Sequence, residues 1–143
     1  MTNDDCLLCR KHRGQAAVPP GGYIIEDVHW MVCHAPPDRG PLGTLFIESR
    51  RHVLDFADLD PAEAASFGPL AQRLYSALRP LVGAQRIYQV SMMEGIAHFH
   101  VWLVPRTPEI LERGVAFLAR DLSCTEQAAG ELAAALRSDL QPP

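Results

Sequence analysis

The sequence predicts an α+β domain in which an antiparallel sheet carries a long helix packed on one face and a C-terminal helix. Three observations predict this class. Five short segments are rich in strand-forming residues, two longer segments repeat apolar residues at helical spacing, and two links between strand segments are short enough for hairpins. We expect residues 1–143 to form one domain, which is long enough to bury a core without disulfides.

The first half of the chain predicts three strands. Residues 23–26 and 30–34 are β-rich and are joined by a short polar link, which indicates a hairpin. The loop that follows, 35–43, contains three prolines and two glycines and therefore continues neither strand. Residues 44–48 are again strand-like and give the third strand.

Two helices are predicted from caps and apolar spacing. Helix 61–81 starts with Asp60 as N-cap, Pro61 in the first turn and Glu63 placed to complete a capping box. Its apolar stripe consists of Phe67, Leu70, Leu74, Leu78 and Leu81. A second capping-box pattern, Ser123-Cys124-Thr125-Glu126, opens the C-terminal helix, whose apolar face consists of Leu132, Ala135, Leu136 and Leu140.

The last two strands are predicted over 86–92 and 96–104. Between them the short link Met93-Glu94-Gly95 suits a tight hairpin, with Gly95 at a position of positive φ.

The second of these strands carries the most informative pattern in the chain. Successive strand side chains point to opposite faces, so His98, His100 and Trp102 are expected to share one face. The residues between them are apolar and would pack on the long helix. Imidazoles can act as nucleophile, acid, base or metal ligand near neutral pH, so this face predicts chemistry or a metal. The alternative is an edge strand whose histidines point into solvent.

Composition and charge limit the kind of protein. Hydrophobic residues make up 48% of the chain and charged residues 21%, as in ordinary soluble domains. No apolar run approaches the roughly 18–20 residues of a membrane span, and the polar opening does not resemble a signal peptide. We therefore expect a cytoplasmic location. The net charge of −4 argues against nonspecific nucleic-acid binding and favours a small ligand.

The Cys6-Leu7-Leu8-Cys9 segment suits a metal site or a redox dithiol. A redox pair is expected at a helix start inside a βαβ unit, and no strand-like segment precedes residue 23. Metal binding is therefore favoured over a metal-free thiol pair.

The segment from His98 to Arg106 resembles the motif of the histidine triad superfamily, in which histidines alternate with apolar residues. The cysteine pair, the third strand leading to His52 and the helix before the motif also lie where that family has them. The resemblance covers about residues 4–106, which leaves 107–143 as a C-terminal extension. Trp102 departs from the family because it stands at the third histidine position.

The resemblance implies one structural zinc ion per chain. Zinc-containing bacterial members use the cysteine pair, the histidine after the third strand and the first motif histidine, which here are Cys6, Cys9, His52 and His98. Two thiolates and two imidazoles suit a closed tetrahedral site. His12 is a rival ligand, and a solvated His52 that binds nothing is the alternative for that residue.

The resemblance also implies covalent nucleotidyl transfer. In the family the middle histidine, here His100, attacks the α-phosphate of a conjugate such as a dinucleoside polyphosphate or a nucleoside phosphoramidate. Water or another acceptor then resolves the nucleotidyl-histidine, which makes the protein a hydrolase or a transferase. An indole donates a hydrogen bond but does not shuttle protons, so Trp102 should slow leaving-group protonation. Trp102 would otherwise close the cleft or stack on the substrate.

Three further residues are predicted to bind substrate. His34 lies where relatives contact the ribose, the turn at Gly95 offers backbone amides to phosphate, and Arg106 belongs to an anion-attracting patch.

Two other functions remain open. A nucleotide-binding or regulatory module would keep the fold and zinc but lack turnover because of Trp102. A catalytic metal centre at His98 and His100 is disfavoured, since zinc enzymes need a third ligand and an open position. As in relatives, a homodimer is expected, formed by strand 86–92 with Tyr75 and Leu78.

Overall fold

The computed structural model describes residues 3–141. The strands are β1 Ile25–Glu26, β2 Trp30–His34, β3 Leu45–Ser49, β4 Arg86–Val90 and β5 His100–Arg106, and the helices are α1 Leu7–His12, α2 Pro61–Val82, α3 Val115–Leu118 and α4 Glu126–Leu140. All neighbouring strands are antiparallel, and they form one open sheet in the order β1-β2-β3-β5-β4. The predicted α+β class, with a long helix and a C-terminal helix, is confirmed.

The long helix α2 begins and ends where its signals predict. The backbone amide of Glu63 donates to Asp60 Oδ1 over 2.8 Å, and the amide of Asp60 donates to Glu63 Oε1 over 2.8 Å. Gly83 ends the helix with φ of 65°, a left-handed conformation that suits glycine. The predicted stripe is buried except for Leu81, which is 41% exposed.

The core lies between one face of the sheet and helices α2 and α4. The three residues that were predicted to face the core, Val101 and Leu103 on β5 and Phe99 just before it, are all buried. The opposite face of the sheet carries the cross-strand pairs Glu48 with His100 and Phe46 with Trp102. This second face is the one that holds the functional candidates.

Short helices cover the second face at its two sides. On one side, α1 lies near β3, because Lys11 forms an ion pair with Glu48. On the other side, Phe117 of α3 stacks on Tyr88 of β4, with ring centroids 5.3 Å apart. The middle of the face, around Trp102, lies between the two covers.

The last hairpin differs from its prediction. Strand β4 ends at Val90 and β5 begins at His100, so nine residues rather than three join them. The backbone before β5 bonds elsewhere: the amide of Phe99 donates to Val53 O and its carbonyl accepts from the amide of Ser49. His98 therefore lies just before the strand, not on it, and Gly95 does not adopt a positive φ.

Three other details were missed or misplaced. The cap of α4 is Thr125, whose hydroxyl accepts from the amide of Ala128 at 3.0 Å, rather than Ser123. The cysteine pair lies on a short helix, α1, with Cys6 at its N-cap, which the sequence pattern did not indicate. Leu78, predicted at a dimer surface, is fully buried against the sheet and is excluded from any interface.

No described helix is long and apolar enough to cross a membrane.

Candidate functional site

Four side chains from three parts of the chain meet at one end of the second face. Cys6 and Cys9 come from α1, His52 follows β3, and His98 precedes β5. One ligand atom from each lies within 4.8 Å of all the others. This is the quartet that the sequence predicts, and His52 is part of it rather than a solvated bystander.

The distances within this cluster have the spacing of a coordination shell. The Sγ atoms of Cys6 and Cys9 lie 3.4 and 3.5 Å from His98 Nδ1, and the two histidine Nδ1 atoms are 3.3 Å apart. Zinc–sulfur bonds of about 2.3 Å and zinc–nitrogen bonds of about 2.0–2.1 Å would separate tetrahedral donors by about 3.3–3.8 Å. The four donors therefore fit one tetrahedral zinc ion.

The orientation of His98 is fixed by the backbone. Its Nε2 lies 2.6 Å from the carbonyl oxygen of Ser49. A carbonyl only accepts, so Nε2 carries the proton and Nδ1 presents its lone pair to the cysteines and His52. Burial lowers the pKa of His98 to about 4, which keeps the ring neutral.

A buried polar cluster lies next to the quartet and involves His12, the rival ligand. His12 Nε2 donates to Glu48 Oε1 at 2.9 Å, and Lys11 Nζ donates to Glu48 Oε2 at 2.7 Å. The Lys11 ammonium also lies 3.2 Å from Cys33 Sγ. His12 is thus used by Glu48 and lies outside the four-residue cluster.

Charges in this cluster are balanced despite their burial. Burial alone would raise the pKa of Glu48, but the hydrogen bond from His12 and the charge of Lys11 hold it below its usual value. Burial likewise opposes the charge on Lys11, yet Cys33 and Glu48 keep its pKa above the ordinary value. The Cys33 thiol, fully buried beside Glu48, has its pKa raised to about 12 and is unreactive.

His100 is held in the opposite orientation to His98. Its Nδ1 lies 2.6 Å from the carbonyl oxygen of His98, so Nδ1 carries the proton. The lone pair is therefore on Nε2, the outer nitrogen of the ring. His100 is 7% exposed and shares the second face with Trp102, about 7 Å further along the strand.

Trp102 lines two cavities on the second face. The larger cavity has a volume of about 700 Å³ and is mostly apolar; among its lining residues are Leu8, Lys11, Phe46, Ile96 and Trp102. The smaller cavity, about 320 Å³, is lined by residues that include Arg39, Met92, Trp102, Val104 and Phe117. The indole packs on Phe46, with ring centroids 4.6 Å apart.

The predicted substrate-binding residues are not all brought together. Gly95 and His34 both line the larger cavity. Both ring nitrogens of His34 are already bonded, Nδ1 to the carbonyl of Ala35 at 2.7 Å and Nε2 to the amide of Gly43 at 2.9 Å. Arg106 lies at the far end of β5, roughly 20 Å from His100 by strand rise, where it is buried and bonded to Gln85. A small ligand at His100 does not reach it.

Several residues of the site were not predicted from the sequence. Lys11 and Phe46 line the larger cavity, and Arg39 borders both cavities. Glu48 joins α1 to the sheet beneath them. Its one sequence signal was a carboxylate within an otherwise apolar strand, a residue type that is almost never fully buried without a partner.

Comparison with solved structures identifies the fold. A Hit-like protein involved in cell-cycle regulation from Bartonella henselae superposes with a TM-score of 0.74 at 15% identity, covering 98% of this chain and all of the other. A Zn-bound histidine triad family protein from Mycobacterium smegmatis has a TM-score of 0.73 at 22% identity, with 94% of each chain covered. A hypothetical histidine triad nucleotide-binding protein from Sulfolobus tokodaii has a TM-score of 0.72 at 14% identity, covering 94% of this chain and 91% of that one.

Comparison by sequence gives no such match. No protein-family model and no curated protein matches this sequence. The identification therefore rests on backbone similarity over nearly the whole chain, together with the positions of the motif residues. On this evidence the chain has the histidine triad fold.

Proposed function

We propose that the protein binds a nucleotide conjugate and transfers its nucleotidyl group through His100, as a hydrolase or a nucleotidyl transferase. The observation that carries this proposal is the tautomer of His100, whose Nδ1–H is bonded to the His98 carbonyl, so that the lone pair is on Nε2. The fold supports it, because a histidine triad neighbour is described as nucleotide-binding.

The proposed reaction has two steps. The Nε2 lone pair of His100 attacks the α-phosphorus, a P–N bond forms, and the bond to the leaving group breaks with its electron pair. Water then attacks the same phosphorus, the P–N bond breaks and its electron pair returns to Nε2, which restores the neutral imidazole, and the proton lost by water passes to solvent. Throughout, Nδ1–H stays bonded to the His98 carbonyl, which holds the ring in place.

The larger cavity is the proposed binding site for the nucleoside. Its volume of about 700 Å³ is within the usual range for small-molecule sites. Phe46 and Trp102 offer aromatic surfaces to a base. Lys11 offers an ammonium group, and Gly95 lies on the wall. Both ring nitrogens of His34 are bonded to the backbone, so a hydrogen bond to a sugar would require one of these bonds to break. The contact proposed for His34 is therefore a van der Waals contact through the edge of its ring.

We further propose that the quartet of Cys6, Cys9, His52 and His98 holds one structural zinc ion. The donor spacings and the fixed orientation of His98 support this, as does the Zn-bound neighbour from Mycobacterium smegmatis. Zinc would tie α1 to the segments before β5 and after β3. No catalytic step is assigned to the metal.

Association through β4 is also proposed. This strand forms one edge of the sheet, so its outer backbone groups are available to a second copy. Tyr75 of α2 lies beside it, with its hydroxyl bonded to Gln89 at 3.3 Å. A homodimer in the cytoplasm is the expected form, and sedimentation at high micromolar concentration tests its size.

The test of the catalytic proposal is the mass of the intact protein after incubation with an adenosine or guanosine 5′-phosphorimidazolide. The expected result is one added nucleotidyl group in the parent and none in His100→Ala, with nucleotide affinity unchanged by calorimetry. Binding without any mass increase in the parent would favour a second function, a nucleotide-binding module without turnover. Trp102 is the observation that favours that alternative, because an indole cannot protonate a leaving group.

A further inference from the structure

A second charged cluster lies at the end of β5 that is remote from His100. Arg106 is 4% exposed and donates from Nη1 to Gln85 Oε1 at 2.8 Å, whereas its Nε has no hydrogen-bond partner among the described residues. A guanidinium stays protonated even when buried, because its pKa is above about 12. The protein therefore buries a permanent positive charge here, together with an unused N–H donor.

Two further arginines lie beside this side chain. Arg113, in the C-terminal extension, donates from Nη1 to the same Gln85 Oε1 at 3.4 Å, so two guanidinium groups converge on one neutral oxygen. Arg86 on β4 is the cross-strand partner of Arg106. Directly opposite residues share a sheet face, and like charges in such positions repel each other. Three cations thus come together from β4, β5 and the extension.

The protein itself does not balance these charges. Among residues 3–141, no carboxylate lies within ion-pair distance of any of the three guanidiniums. The buried carboxylates elsewhere do have cationic partners, since Glu48 pairs with Lys11 and Glu63 pairs with Arg51. A buried charge without a counter-charge is strongly unfavourable. The cluster therefore calls for an anion from outside the described chain.

Tyr88 adds a hydroxyl to the cluster. It lies two residues after Arg86 on β4, so the two side chains share one sheet face. Its hydroxyl accepts from the amide of Gly114 at 2.8 Å, and its ring stacks on Phe117. The amide of Gly114, and then Arg106 and Arg86, hold the pKa of Tyr88 below its usual value. Because the phenol oxygen accepts these bonds, its own proton is available to a ligand.

The number and arrangement of the cations select the kind of anion. Three guanidiniums call for more than one negative charge, and a phosphate group on an ester carries about −1.5 to −2 at pH 7, whereas a carboxylate carries one. A tetrahedral oxyanion also presents its oxygens in several directions, which suits donors from three segments. Arg86 and Arg113 are exposed, so an anion can reach the cluster from solvent.

From these observations we infer that Arg86, Arg106 and Arg113 form a binding site for a phosphate-type oxyanion, separate from the site of the proposed reaction. Its ligand is either free phosphate or the phosphate group of a small ester. The inference does not rest on the role proposed for His100, since Arg106 lies roughly 20 Å away along β5. A bound oxyanion offsets the repulsion among the three cations and ties the extension to β4 through Arg113.

Phosphate binding tests the site directly. Inorganic phosphate, titrated at constant ionic strength and followed by its phosphorus NMR line width, should bind the parent saturably. Arg86→Gln and Arg113→Gln should each weaken binding at least about tenfold, because each removes a charge-assisted contact. Arg10→Gln is the matched control, since Arg10 is exposed on α1, which packs beside β3 rather than β4. No saturable binding, or equal binding by Arg113→Gln and the parent, overturns the inference.

A second copy of the chain is the rival source of the missing negative charge. If a carboxylate of that copy balances the cluster, phosphate will not bind and Arg86→Gln will weaken association measured by sedimentation. That pair of results contradicts the inference. Saturable phosphate binding with association unchanged in Arg86→Gln supports it.

Thermal unfolding separates ligand binding from a structural role of the arginines. In phosphate-free buffer Arg113→Gln should melt at the temperature of the parent or above, because it removes a like charge from the cluster. Phosphate should raise the melting temperature of the parent and of Arg10→Gln, but not that of Arg113→Gln. If Arg113→Gln melts lower without phosphate and responds to phosphate as the parent does, the arginine is structural and the inference is wrong.

Glycerol 3-phosphate distinguishes the two sources of the ligand. Binding as tight as that of inorganic phosphate would identify the phosphate group of an ester, and binding of inorganic phosphate alone would identify the free anion. Both results support the site, provided that Arg113→Gln loses the binding. His100→Ala should bind phosphate as the parent does, so this site and the proposed function can each fail without the other.

Discussion

His98 and His100 are two residues apart in the same motif, yet the backbone holds them in opposite tautomers. His98 donates from Nε2 to the Ser49 carbonyl and offers Nδ1 to the cysteine pair, whereas His100 donates from Nδ1 to the His98 carbonyl and keeps its lone pair on Nε2. These tautomers suit the roles proposed for the two rings, metal ligand for His98 and nucleophile for His100. A backbone carbonyl oxygen, rather than the residue type, sets which ring nitrogen carries the lone pair.

The surroundings of the two histidines differ in the same way. His98 is fully buried, and it is packed among the quartet and the ring of His12, 5.6 Å away. His100 is also buried, at 7% exposure, and shares its sheet face with Trp102, which lines two cavities. The surroundings of His98 are polar, whereas those of His100 include the indole of Trp102.

The largest effect is expected from removing the proposed metal ligand His98. His98→Ala should lose about one zinc per chain and lower the melting temperature strongly, because structural zinc sites bind with apparent free energies of about 10–16 kcal/mol in small domains. Elemental analysis and thermal unfolding measure both. Cys9→Ser should behave alike, and His12→Ala should keep the metal. Full zinc retention in Cys9→Ser would contradict the assignment.

The next largest effect is expected from replacing Trp102, two residues after His100. Trp102→His should restore a proton shuttle and raise turnover of phosphoramidates, whose amine leaving groups need protonation, by on the order of 10²-fold. Turnover of conjugates whose leaving group departs as a stable anion should change much less. Steady-state kinetics with a matched pair of leaving groups separates the two. An equal gain for both would show that the indole acts by blocking access rather than by lacking a proton.

Glu48 links the surroundings of the two histidines. It pairs across the strands with His100 and bonds to His12, which lies beside His98. Glu48→Gln removes the charge that Lys11 requires in a buried position. We expect a loss of about 3 kcal/mol or more in the free energy of unfolding, as for other broken buried ion pairs. Denaturant unfolding measures this, and Glu112→Gln, on an exposed pair with Arg120, is the control with little expected change.

The sequence predicted the parts of the fold that depend on local signals. The capping box at Asp60 and the apolar stripe of α2 are properties of one short segment, and both are confirmed. The prediction of the last hairpin was wrong because the backbone of Phe99, just before β5, bonds to Ser49 and Val53, some fifty residues away. Spacing alone does not reveal such backbone bonds.

The candidate site shows the same division. The four ligand types could be identified from a motif and a cysteine pair, and the structure brings them together. The placement of Arg106 away from His100 follows from where β5 ends, which was predicted two residues too early. The Glu48 cluster and the two cavities are properties of packing between α1, the 37–41 loop and the extension, so no single segment encodes them.

The smallest expected effect is on the pH dependence of stability, and it follows from the sign of the Glu48 shift. The pKa of Glu48 in the folded state lies below its ordinary value, because the bonds from His12 and Lys11 outweigh burial. Its contribution to stability is therefore complete above the ordinary carboxyl pKa of about 4.3 and is lost as the pH falls through the lower folded value. The free energy of unfolding, measured with denaturant between pH 3 and 7, should therefore fall more steeply on acidification in the parent than in Glu48→Gln. Zinc release by protonated ligands affects both chains alike, so the difference between their curves isolates the carboxylate. Parallel curves would mean that Glu48 titrates as it does in the unfolded chain. The surroundings of His98 and His100 would then be linked by packing alone, without a contribution from the Glu48 charge.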